Sequence, residues 1–157
     1  MKRPVFFCKS WFRAKKRPTE VWTEAQAKAA HGRKQYYTAL LDSTERPYCF
    51  LEVTEKAVGV SFLDDHLRES LSYAFQEVEP DRLFLTMATY REFEKKSDRV
   101  VSGTSYIFGR NGEVQIRREH FNPHSVEVAN TTADVVHNYT DFPKFGEYDD
   151  LIRVERG

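Results

Sequence analysis

The chain has 157 residues, about the size of one domain, and its 40% hydrophobic content, with twelve Phe, eight Tyr and two Trp, is enough for a core and excludes a disordered chain. No apolar run approaches the roughly 18 to 20 residues of a membrane-spanning helix. Net charge is formally zero but unevenly placed: residues 1–34 carry ten basic side chains against Glu20 and Glu24, a net of +8, which leaves −8 on the remainder.

In chain order, "RPVFFCKSWFR" (3–13) is rich in aromatics and reads as a strand, with the polar connector "AKKRP" after it. "TEAQAKAAHG" predicts a short helix over about 24–31. Thr23 is its cap, Gln26 completes a capping box and Gly32 is the stop. "KQYYTALLD", "RPYCFLEVT" and "KAVGVSF" are runs of strand length and composition separated by short polar breaks, which predicts an antiparallel meander. Leu67, Leu71, Ala74, Phe75 and Val78 then recur at spacings of three and four, which predicts the principal helix over about 65–78, ended by Pro80.

"RLFLTMATYREF" is apolar on both alternating sets, as in a central strand covered on both faces. "RVVSGTSYIF" and "EVQIRREHF" are two further strands joined through Asn111-Gly112, the strongest hairpin signal in the chain. The tail from 124 to 157 is less legible: "SVEVANTTADVVHNYTDFP" fits a strand with or without a short helix, and "KFGEYDDLIRVERG" fits a strand or a helical turn. This order predicts one α+β domain over 1–157. It has a mainly antiparallel sheet of about six or seven strands, with the two helices packed on it.

Candidate chemistry is sparse. "FLDDHLRES" (62–70) gathers acids, a histidine and a serine, but the helical phase puts Asp65, Arg68 and Glu69 on the solvated side. Asp64 or Asp65 is then expected to be an N-cap rather than a catalytic group. His120 and His124 are four apart, but Pro123 breaks the helix that would align them on a metal, and no C-x-x-C accompanies them. Cys49, between Tyr48 and Phe50 in a strand, is expected to be a buried, inert thiol. With no P-loop and no nucleophile elbow, the sequence gives no positive sign of an enzyme, a cofactor or a metal. The two distant cysteines and the lack of a secretory leader point to a reduced, cytoplasmic protein.

Two surfaces remain. The basic N-terminal segment 1–17 interleaves Trp11 and Phe12 with Lys9, Arg13, Lys15, Lys16 and Arg17, so it suits nucleic acid, or folds back on the acidic body. The tail offers Tyr139, Phe142, Phe145, Glu147, Tyr148, Asp149 and Asp150, an aromatic and acidic set suited to a protein partner, or to packing on its own body.

"VGVSFLDDHLRESLSYAFQEVEPDRLFLTMATYREF" and the ending "YTDFPKFGEYDDLIRVERG" resemble segments of small bacterial proteins, some of the immunity kind that neutralises a secreted toxin. The resemblance implies a non-catalytic domain that binds a protein partner, such as a toxin, and blocks its active site. Nucleic-acid binding through the basic arm is the alternative expectation, and an enzyme with a discontinuous site is the third.

Overall fold

A computed structural model describes residues 3–154. The strands are β1 (Val5–Cys8), β2 (Trp11–Phe12), β3 (Arg17–Pro18), β4 (Val21–Trp22), β5 (Tyr37–Leu41), β6 (Cys49–Val53), β7 (Ala57–Leu63), β8 (Glu69–Glu79), β9 (Arg82–Phe93), β10 (Val100–Phe108), β11 (Glu113–His120), β12 (Ser125–Thr132) and β13 (Tyr139–Asp141). One α-helix, α1 (Glu24–Gly32), follows β4. Eleven strands form a single sheet in the order β12-β11-β10-β9-β8-β7-β6-β5-β1-β4, with β13 also paired to β9, and β2 and β3 form a separate hairpin. Every pairing is antiparallel.

This corrects the expected α+β domain of six or seven strands with a principal helix over 65–78. Residues 69–79 of that span are strand β8. Leu71, Tyr73 and Phe75 alternate into the core while Ser72, Ala74 and Gln76 face the other way. The segment satisfies both periods, and the period of two wins because β8 is flanked by β7 and β9, whose ladders take up its backbone groups. Leu67 has φ +57°, which no regular right-handed helix contains, so 64–68 is the loop of a hairpin.

Several local expectations hold in whole or in part. Thr23 and Gln26 form the reciprocal capping box of α1, although the left-handed residue beyond the helix is Lys34 at φ +57° rather than Gly32. The hairpin at Asn111-Gly112 joins β10 to β11. Gly112 sits at φ +90°, and a Cβ there would lie 2.9 Å from the Ala133 carbonyl oxygen. "RLFLTMATYREF" coincides with β9, yet it is buried on both faces only over Leu83–Leu85. Phe84 is covered there by the Tyr139 ring, with centroids 4.9 Å apart. The tail combines strand β12, a 3-10 turn at Val136–Asn138 and β13.

Register lines up the core. Phe7, Ala39, Leu51, Val60 and Tyr73 are successive cross-strand partners on one face, beside Tyr37, Val53, Val58 and Phe75. Ala27 and Ala30 of α1 are buried in the same cluster, their small side chains letting the helix lie close. The tail closes the rest: Tyr148 and Leu151 are fully buried and Phe145 stacks on Phe7 at 4.9 Å. Tyr148 and Tyr37 share a hydroxyl hydrogen bond of 2.8 Å, and His31 Nδ1 lies 2.8 Å from the Tyr37 oxygen, so these buried polar atoms are satisfied. Among the described residues no helix is long and apolar enough to cross a membrane.

Candidate functional site

The opposite face of the sheet is apolar at Leu40 and Phe50 and carries a polar row from β7 onward. Ser61, Ser72, Thr89, Ser105 and Arg117 are successive cross-strand partners from β7 to β11, a row of hydroxyls ending on a cation. The alternation that sends Val60, Tyr73 and Ala88 into the core sends these residues out the other side. At the β7–β9 end the row floors a cleft of about 540 Å³. Three segments wall it: the β2–β3 hairpin through Arg13 and Lys16, the β7–β8 loop through Leu67 and Arg68, and the β9–β10 loop through Asp98.

Ionic contacts tie these walls together. Arg13 bridges Glu52 at 2.7 Å and Glu69 at 3.1 Å, anchoring the hairpin to β6 and β8. Burial alone would lower the Arg13 pKa, and the two carboxylates outweigh it and raise it. Lys16 Nζ donates to Asp98 at 2.7 Å and to the His66 carbonyl at 2.9 Å, reaching both loops. Arg68 Nε meets Asp64 at 2.8 Å, Arg68 Nη1 donates to the Glu94 and Ser97 carbonyls at 3.0 and 2.7 Å, and the guanidinium lies over the Phe93 ring at 4.7 Å.

Asp64 therefore does cap backbone groups, but those of a turn. Its Oδ1 accepts from the His66 and Arg68 amides at 2.9 and 3.0 Å. Partial burial raises its pKa, but the bonds from Arg68 and His66 prevail and hold it below the ordinary 3.8. The expected N-cap of a helix is corrected to the organiser of the β7–β8 turn. Asp65 and His66 are exposed.

A second region of this face is open. All eight residues of β12, at the far end of the ladder, are exposed. Met87, Ile107, Val126 and Val128 are exposed apolar side chains on the polar face, among Gln115, Arg117 and Asn130. β12 ends the sheet, so its outer edge presents backbone donors and acceptors with no partner strand among the described residues.

No family model, curated protein or solved structure matches the chain.

Of the basic set, Arg13 and Lys16 are engaged by the body as described, Trp11 is buried on Phe50 with centroids 5.5 Å apart, and Lys9, Lys15 and Arg17 are exposed. Of the tail set, Tyr148 is core. Phe142 and Phe145 pack against the core, and Tyr139 lies between Phe84 and the guanidinium groups of Arg82 and Arg110. Glu147, Asp149 and Asp150 are exposed. The structure thus uses the tail's aromatics in packing and leaves its acids at the surface. His120 closes the β11–β12 ladder opposite Ser125, and His124 pairs with Glu119 at 2.7 Å. Cys8 and Cys49 are buried free thiols, and burial pushes both up to about 12, which keeps them protonated and inert.

Sequence reasoning missed the cleft because its residues come from five strands and three loops. One signal was present: small polar residues at a single phase of β7, β8, β9 and β10.

Proposed function

We propose that the chain is a non-catalytic binding domain that recognises a protein partner through the open β10–β12 end of its sheet, the partner adding an extended segment to β12. One observation carries this reading: an edge strand of eight residues exposed along its whole length, where the other edge, β4, has two residues. Strand addition supplies backbone hydrogen bonds, and Val126 and Val128 supply apolar contact on alternate positions. Neutralisation of a toxin in the cytoplasm is the form of this activity that the sequence resemblance supports. The basic arm gives less support to nucleic acid, since two of its five cations are engaged with carboxylates of the body.

The test is retention of a partner by the tagged chain, with growth rescue on co-expression of a toxin encoded in a neighbouring gene. Val126→Glu combined with Val128→Glu should abolish retention and rescue while leaving the urea midpoint unchanged. Charge reversal at Asp149 and Asp150 should change neither. Retention that survives the β12 pair and is lost with the tail pair would move the interface to the tail and end the strand-addition reading.

A further inference from the structure

The cleft under the β2–β3 hairpin holds two polar groups, Ser61 and Arg91, that the described residues do not fully satisfy. Ser61 is 5% exposed, lines the cleft, and its hydroxyl makes no hydrogen bond with any described residue. A buried hydroxyl left without a partner is costly, so such groups in folded proteins usually have a ligand or water to meet. Its cross-strand neighbour Ser72 accepts a 2.9 Å hydrogen bond from Arg91 Nη1, which also reaches the Glu69 carbonyl at 3.3 Å. Those bonds fix the guanidinium, and its Nε and Nη2 find no acceptor among the described residues.

Charge sharpens the point. Arg13, Lys16 and Arg68 each face a carboxylate within ion-pair distance, and Arg91 faces none among the described residues. Glu52, Glu69 and Asp98 also line the cleft, the first two sharing the single Arg13 guanidinium and the third paired with Lys16. Among the described residues Arg91 is the lining cation with no carboxylate within ion-pair distance, and its guanidinium is held at a floor that already offers two hydroxyls. Leu67, Phe93 and Val100 give the same cleft an apolar wall. Its volume of about 540 Å³ falls in the range of roughly 300–1,000 Å³ in which small-molecule sites lie.

We propose that this cleft binds a small organic oxyanion, a carboxylate on an apolar body, with the carboxylate on the Arg91 fork and the Ser61 and Ser72 hydroxyls and the body against Leu67, Phe93 and Val100. Guanidinium forks match both carboxylate and phosphate oxygens, and the apolar wall selects against a bare inorganic ion. The site is separate from the β12 edge and does not depend on it.

The experiment titrates the whole chain with benzoate, phenyl phosphate and inorganic phosphate, followed by calorimetry and amide chemical shifts. Benzoate should bind saturably with shifts centred on Ser61, Ser72 and Arg91, and Arg91→Gln should weaken it about tenfold or more, as expected for a charged hydrogen bond. Ser61→Ala, almost isosteric and therefore safe for the fold, should weaken it by about threefold to tenfold. Gly59→Val should obstruct the floor, where an added Cβ would meet only Glu52 Oε1 at 3.9 Å and the backbone is unstrained. The Val126→Glu and Val128→Glu pair should leave benzoate affinity intact, so failure of the edge reading and failure of this one are told apart. Absence of saturable benzoate binding, or binding indifferent to both Arg91→Gln and Ser61→Ala, overturns the proposal. Preference for phenyl phosphate overturns the assignment of a carboxylate.

Discussion

The β5–β6 region and the β11–β12 region belong to one antiparallel ladder, yet they differ in what lies over them. All five residues of β5 are buried and four of five in β6, whereas β12 has none. α1 and residues 142–152 pack over the first region on one face, and Trp11 of the β2–β3 hairpin covers Leu40 and Phe50 on the other. Among the described residues no comparable layer reaches β12, whose residues are exposed on both faces. Backbone pairing is common to both regions, so it cannot be what separates them; burial of side chains is. Stability should therefore concentrate where the layers are, and recognition where they are not.

The sharpest way to break that contrast is to truncate one large side chain under the layers. Phe75 is 1% exposed on β8, edge-on to Tyr73 with ring centroids 6.2 Å apart. Phe75→Ala should cost about 3–5 kcal/mol, through lost transfer energy and a residual cavity. That is a large share of the roughly 5–15 kcal/mol by which a domain is stable, so the urea midpoint should fall steeply. A loss below about 1 kcal/mol would mean that the layered region does not carry the stability.

A smaller effect is expected at the boundary, in the β7–β8 turn. Asp64→Asn removes the charge from the contact with Arg68 while keeping an acceptor for the backbone amides, so the cost should be about 1 kcal/mol. Its pH dependence has a definite sign. Because the folded pKa lies below the ordinary 3.8, the contribution is complete above that value and is lost as pH falls through the folded pKa. Urea titrations of wild type and variant should therefore converge in acid and separate above pH 3.8. A constant difference across the whole range would show that the ionised Asp64 is not what secures the turn.

Parts of this organisation could be read from the chain and parts could not, for physical reasons. Local chemistry was legible: the Thr23–Gln26 box and the Asn111-Gly112 hairpin depend on residues a few positions apart. So were the runs that became β5, β6, β7, β9, β10 and β11. The segment 65–78 was misread because Leu71, Ala74, Phe75 and Val78 satisfy a helical stripe as well as Leu71, Tyr73 and Phe75 satisfy an alternation. Only the neighbouring strands decide between them. Tyr73 and the serine at 72 were the clue, since an aromatic and a small polar residue at opposite phases suit a sheet with one wet face. The cleft left one faint linear trace, the small polar residues at a single phase of β7 to β10; its assembly did not show, because Arg13, Ser61 and Arg91 are brought together by register across β7, β8 and β9 and by the fold-back of the arm.

The smallest expected effect tests the other side of the comparison. Val128 is 55% exposed on the edge strand, so truncation to Ala opens no cavity and removes little apolar surface from a buried place. It also lowers local β-propensity, which on an exposed edge matters by a few tenths of a kcal/mol. Val128→Ala should therefore shift stability by less than about 0.5 kcal/mol in urea unfolding. A loss comparable to that of Phe75→Ala would require Val128 to be buried in solution, which a self-association of β12 edges would produce. Repeating the measurement over a range of protein concentrations separates the cases: a concentration-dependent midpoint would show that the open edge is already occupied by a second copy, and a constant one would leave it available to a different protein.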